Sequence, residues 1–169
     1  RRVLFRSVFI LSDDHRYDYM GFVGKVPWLE TPAMDRMARE GAWIRNAFVT
    51  TSLSSPSRAS ILTGMYSHSH KVVDNSAPMP AGLTFFPEYL QQVGYQTGFF
   101  GKWHMGNDTG DPQPGFNHWE SFSGQGEYYN PRLNVNGEWI RYADSTYVTD
   151  LLTTHAIQFI EENKDKPFF

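Results

Sequence analysis

Val8-Phe9-Ile10-Leu11-Ser12-Asp13-Asp14 is the stretch whose pattern sets the fold class of this chain. Four apolar residues in succession, without polar alternation, predict a strand covered on both faces, as the strands of parallel sheets are. Two carboxylates follow at once, and open α/β sheets place their ligands at the carboxyl edge of the strands. Adjacent acids repel one another, which argues for a cation held between them. Oxygen donors alone favour a hard ion, Ca2+ or Mg2+. Taken in isolation, an Asp-Asp pair is more often a solvated turn or a helix cap.

A second informative run lies at residues 51–64, Thr-Ser-Leu-Ser-Ser-Pro-Ser-Arg-Ala-Ser-Ile-Leu-Thr-Gly. Ser54 is expected just before a helix, with Pro56 at its first position and Gly64 past its end. The unpaired N–H groups and the positive end of the helix dipole then lie beside the Ser54 hydroxyl. Arg58, about one turn on, offers a forked donor to the same point. The pattern describes a nucleophile beside an anion hole, although most helices with such a start only cap themselves.

The third run is Gly94-Tyr95-Gln96-Thr97-Gly98-Phe99-Phe100-Gly101-Lys102-Trp103-His104. Gly94 is expected to end a helix begun near Thr84, and residues 96–100 to form another buried strand. Lys102 and His104 then emerge at its end, two residues apart and able to face the same way. Elsewhere the order of strands and helices continues. Thr31 and Pro32 read as the cap and first turn of a helix with Met34, Met37 and Ala38 inward and Gly41 after it. Ala42 to Thr50 reads as a short extended segment. Residues 107–143 read as a long aromatic-rich excursion with a hairpin at Asn136-Gly137. Ser145 to Asn163 carries one apolar stripe of Val148, Leu151, Leu152, Ala156, Phe159 and Ile160 and predicts a helix. The whole predicts an α/β fold, a three-layer α/β/α sandwich on a mostly parallel sheet.

Composition narrows the function. The chain has 169 residues, enough for one core, and an aromatic content of 16% that fits a folded protein. A net charge of −3 without a polybasic run gives no footprint for nucleic acid. The chain has no cysteine, which excludes disulfides and thiolate metal sites. No apolar run approaches the roughly 20 residues of a membrane helix.

Ser54, Pro56, Arg58, Leu62, Thr63 and Gly64 together resemble the signature of the sulfatase family, Cys-or-Ser, x, Pro, x, Arg, then Leu-Thr-Gly. The Gly94 to His104 run is similar to that family's second signature, and Asp13-Asp14 to its metal-binding aspartates. The resemblance implies an alkaline phosphatase-like fold and hydrolysis of sulfate esters. It implies that Ser54 is the precursor of formylglycine, whose hydrate has two hydroxyls on one carbon: one attacks sulfur, the other expels sulfate. By the same resemblance Asp13 and Asp14 bind calcium, in preference to magnesium, together with the Ser54-derived group. Arg58 holds the formylglycine and its charge, Lys102 contacts sulfate, and His104 bonds a formylglycine hydroxyl. A serine in place of the commoner cysteine implies an anaerobic radical maturase as partner. It also implies a bacterial protein exported to the periplasm or cell surface.

Gly124-Gln125-Gly126-Glu127-Tyr128-Tyr129-Asn130-Pro131 resembles a segment of N-acetylglucosamine-6-sulfatases and mucin-desulfating enzymes, which implies a sulfated carbohydrate substrate. The chain departs from the family at Ser67 and Lys71, so His68 and His70 are expected to pack near the site and not to touch substrate. Two other readings stand beside this one. One is a phosphonate or phosphodiester hydrolase sharing the formylglycine site; the other is a non-catalytic carbohydrate-binding protein with Ser54 unconverted. Arg1 to Ser7 fit poorly before a buried strand and are expected to be a non-native leader, a sequencing artefact. Residues 8–169 are expected to be the N-terminal part of a catalytic domain, truncated at its C-terminal end. Such a piece is expected to lack a closed cation site and activity.

Overall fold

The computed structural model of the chain describes residues 5–107 and 109–169. The first four positions of the expected leader lie outside the described residues. Two compact units divide the chain, one from Ile10 to Val49 and one from Thr50 to Phe169 with the segment ending at Phe9.

The smaller unit holds helix α1, Pro32–Glu40, and a single 3-10 turn, Gly21–Val23. Pro32 sits in the first turn, as expected, and Gly41 closes the helix with its N–H on the Met37 carbonyl. Thr31 stands at the N-cap, but its hydroxyl does not cap the helix. It accepts from the Gly21 N–H at 2.8 Å and donates to Asp35 Oδ1 at 2.7 Å, while Asp35 Oδ1 also accepts from the Phe22 N–H. The inward face of α1 is therefore led by Asp35 and Ala38, and Met34 and Met37 are exposed, against expectation. Polar pairing of the 3-10 turn takes the space two methionines were expected to fill. Asp18, with only 1% of its side chain exposed, is held by Arg16 at 2.8 Å and Lys25 at 2.6 Å.

The larger unit contains helices α2 (Ser54–Thr63), α3 (Ser67–His70) and α4 (Phe86–Gln92). Strands β1 (Gly98–Lys102), β2 (His118–Phe122), β3 (Arg132–Val135) and β4 (Glu138–Arg141) follow, and then helix α5 (Val148–Asn163). The sheet order is β1-β2-β3-β4. β1 and β2 run parallel, with Phe99 opposite Trp119 and Phe100 opposite Glu120, whereas β2–β3 and β3–β4 are antiparallel. Parallel bridges from Gln96 and from Arg6 to Phe168 carry the parallel pattern beyond β1. The expected hairpin is present: Asn136 and Gly137 both have positive φ, 52° and 98°, as a two-residue turn of this hand needs.

Successive residues of a strand face opposite sides, and β1 and β2 use this to make three layers. Phe99 and Trp119 stack at 4.7 Å on one side, joined by Trp103 and Phe116 and packed with Phe85 and Ala59 of the α2 and α4 region. Phe100 points to the other side and meets Phe159 of α5 at 5.8 Å. A Cβ on Gly98 would lie 3.1 Å from the Phe159 ring and 2.9 Å from that of Phe100, so glycine is what lets α5 approach β1 this closely. All six residues of the expected α5 stripe are buried or partly buried.

On the α5 side β2 presents Glu120, a buried carboxylate shared by two imidazoles. His118 Nε2 lies 2.8 Å from Oε1 and His155 Nδ1 lies 2.7 Å from Oε2. Burial of a carboxylate is tolerable only with such partners, and here they tie β2 to α5. β2 lies inside what the sequence reads as an excursion, because the charge on its α5 face hides the alternation. β1 is displaced two residues from the expected 96–100, and α4 starts at Phe86 and not at Thr84.

Val8 to Leu11 do not form the expected buried strand. Pairing reaches Arg6 and Ser7, whose N–H donates to the Phe168 carbonyl at 2.9 Å, and stops there. Among the described residues the apolar run has no ladder on either side, and it lies open, with Ile10 at 78% exposure. No helix among the described residues is long and apolar enough to cross a membrane.

Candidate functional site

Ser54 is the first residue of α2, with Leu53 as the N-cap, so the helix begins two residues earlier than expected and Pro56 falls at its third position. The missing proline N–H still costs nothing, because the first four amides of a helix have no intrahelical acceptor. Gly64 ends the helix with φ 69°, as its position predicts.

Three of the expected residues converge on one atom. Arg58 Nε donates to Ser54 Oγ at 3.2 Å, one turn along the same helix. His104 Nδ1 lies 2.8 Å from that oxygen, reaching it from the segment after β1. Arg58 also donates from its second arm to the Lys102 backbone carbonyl at 2.5 Å, which pins the end of β1 to α2. The Lys102 ammonium reaches Gln125 Oε1 at 2.7 Å, in the Gly124 to Pro131 segment. An oxygen in the Ser54 position thus meets a guanidinium and an imidazole. Negative charge developing there is met by preorganised donors.

His104 is 9% exposed and has φ 53°, a left-handed conformation that a non-glycine residue adopts at a cost. Two residues missed in the sequence hold it there. Ser55, fully buried, donates its hydroxyl to the His104 carbonyl, and its own N–H donates to Asn75 Oδ1 at 3.0 Å. Nothing in the sequence distinguishes Ser55 from Ser52 or Ser57, and Asn75 lies in a polar turn without a motif.

His70 is fully buried in the role expected for it, packing. Its Nδ1 accepts from the Val72 N–H at 3.1 Å, so Nε2 carries the proton toward Ser60 Oγ at 2.9 Å, and Ser60 in turn meets Thr50 Oγ1 at 2.8 Å. Burial holds the His70 pKa below the usual imidazole value. The unfolded chain then binds more protons than the native one between the lowered native value and about 6.5, so stability rises with pH across that window. The contribution is complete above about pH 6.5 and is lost as pH falls through the native value. His70→Gln is expected to be less stable than the parent at pH 7.5 and to flatten this slope. Urea midpoints at half-unit steps from pH 5 to pH 8 measure both, and an unchanged slope would show that His70 does not cause it.

Asp13 and Asp14 occupy a turn of the smaller unit, both exposed, Asp14 with φ 53°. Their donors are oxygens only, which fits a hard divalent cation as part of its shell. Among the described residues no group of three or more carboxylates or imidazoles is placed to hold a metal ion.

The sequence pattern of the family described as Sulfatase matches residues 7–169. An N-acetylglucosamine-6-O-sulfatase from Bacteroides thetaiotaomicron is 42% identical over 165 residues, 95% of this chain and 28% of that protein. The human N-acetylglucosamine-6-sulfatase is 30% identical over 185 residues, 96% of this chain and 32% of that protein. A solved structure of a protein bound to its substrate D-glucosamine-2-N,6-O-disulfate superposes with a TM-score of 0.81 at 42% identity, covering 92% of this chain and 31% of that one. The chain therefore spans less than a third of the length of each of these relatives.

Proposed function

The chain belongs to the sulfatase family, and we propose that the full-length protein carrying it hydrolyses sulfate esters on a sulfated amino sugar, with Ser54 as the reacting residue. The observation that carries the proposal is the convergence of Arg58 and His104 on the Ser54 oxygen at a helix start. The likeness to N-acetylglucosamine-6-sulfatases, and to a structure holding a glucosamine disulfate, supports the choice of sugar.

When present, formylglycine at Ser54 supplies a second oxygen on the same carbon, and calcium supplies Lewis acidity toward the sulfate oxygens. The chain's own residues do the remaining work. Arg58 holds the reacting oxygen and neutralises its charge, with a fork fixed at its other end by the Lys102 carbonyl. His104 Nδ1 holds or takes a proton at that oxygen. Lys102 offers its ammonium to the sulfate, whose charge grows as the ester bond breaks. Asp13 and Asp14 would supply carboxylates to the calcium. A serine at this position calls for a radical maturase, and a sulfated glycan as substrate places the protein in the periplasm or outside the cell.

The test is coexpression of the full-length protein with a serine-type maturase, followed by peptide mass at Ser54 and turnover of matched 6-sulfate and 6-phosphate esters of glucosamine. Loss of two hydrogens at Ser54, with sulfate release that depends on it, is the expected result. Faster release of phosphate would assign the site to phosphoester or phosphonate hydrolysis instead. Sugar binding with Ser54 unchanged and no turnover would make the protein a carbohydrate binder.

A further inference from the structure

We propose that Ser55 is a positioning residue, whose buried hydroxyl fixes the backbone of His104 and so aims its imidazole at Ser54. The neighbour of the reacting residue is usually read as a spacer within the signature. Its surroundings here assign it more. Ser55 is 1% exposed, so its hydroxyl has no water to satisfy it, and it donates instead to the His104 carbonyl across 49 positions of sequence. That carbonyl belongs to a residue with φ 53°, a conformation that persists only where the surroundings hold it. The His104 ring lies 2.8 Å from the oxygen of the residue immediately before Ser55. One helix turn therefore supplies both the reacting oxygen and the clamp that brings the imidazole to it.

Asn75 completes the clamp. Its Oδ1 accepts the Ser55 N–H, one of the helix-start amides without an intrahelical acceptor. That bond fixes Ser55 from behind while its hydroxyl fixes His104 in front. Arg58, bonded to the Lys102 carbonyl two residues before His104, makes a parallel tie to the same segment. The two ties together hold the end of β1 against the start of α2.

The consequence for turnover rests on the sulfatase reading, whereas the geometry does not, and two readouts keep them apart. The first is the tautomer and line width of the His104 ring nitrogens, followed by long-range nitrogen–proton spectra of the chain itself. Ser55→Ala is expected to convert a single sharp tautomer into an exchange-averaged pair, and Ser55→Thr to restore it. His70→Gln, which disturbs packing elsewhere, is expected to leave the His104 signals in place. In the native chain the Ser55 hydroxyl proton should be visible and protected from exchange, a measurement that needs no variant to fold. Folded Ser55→Ala with His104 signals unchanged, or a Ser55 hydroxyl in fast exchange, overturns the proposal. The second readout is kinetic, in the matured full-length protein. Ser55→Ala is expected to lower kcat by about tenfold to a hundredfold with KM little changed. If the ring signals move while no ester is turned over by any variant, the clamp stands and the sulfatase reading fails.

Discussion

Trp119→Ala is expected to remove about 4 kcal/mol of stability, enough to leave a large share of the chain unfolded. Trp119 is 2% exposed and lies at the centre of the aromatic cluster, stacked on Phe99 at 4.7 Å and meeting Trp103 at 5.4 Å and Phe116 at 5.5 Å. Truncation opens a cavity that three ring systems, held by β1 and its flanking loop, cannot close. It also removes the indole N–H that donates to the Gly110 carbonyl at 2.9 Å. Trp119→Phe separates the two effects. It keeps most of the apolar contact and loses the donor, and the expected cost is about 1–3 kcal/mol. Urea unfolding followed by circular dichroism gives both values. A Trp119→Ala midpoint within error of the parent would mean that the cluster does not carry the fold of the larger unit.

The same strand shows why some of the fold is legible in the sequence and some is not. The α5 stripe reads cleanly because every inward residue but His155 and Asn163 is apolar, and the 3.6 period stands out against a polar outer face. β2 is harder to read. Its α5 face carries His118 and Glu120, which look like solvated residues until His155 is brought to them from 35 positions away. A buried polar pair becomes visible only when both halves are placed. Val8 to Leu11 fail for the opposite reason. Their pattern is that of a doubly covered strand, yet coverage is a property of neighbouring elements, and the pairing that precedes them ends at Ser7. Hydrophobicity states what a segment can bury, and the partners decide whether it does.

The site divides along the same line. Ser54, Arg58 and His104 stand out in the sequence through the spacing of signatures, and the fold brings Arg58 and His104 within 3.2 and 2.8 Å of the Ser54 oxygen. The clamp is not. Ser55 is one serine among several, and its hydrogen bond to a backbone carbonyl needs no particular residue at the far end. Contacts to backbone leave no covariation of residue type to find. Gln125 is a partial case, since its loop attracts attention by composition and only the fold shows it bonded to Lys102.

Arg58→Ala in the matured full-length protein is expected to lower kcat by about 10² to 10³, with KM changed far less. The expectation follows from the two ends of one guanidinium. Nε meets the Ser54 oxygen at 3.2 Å, and a second arm donates to the Lys102 carbonyl at 2.5 Å. In the proposed reaction the first contact strengthens as charge develops on the Ser54 oxygen, so its loss is expected to fall on the transition state. The second is present in ground and transition states alike, so its loss falls on stability, by about 1 kcal/mol. Arg58→Lys splits them further, since an ammonium keeps the charge and cannot reach in both directions from a fixed plane. It is expected to recover part of kcat while remaining as destabilised as the alanine variant. Measured side by side, kcat and urea midpoint then move independently across the three proteins. If they instead fall together in proportion, Arg58 serves only to join α2 to β1, and the negative charge at Ser54 is neutralised by other groups.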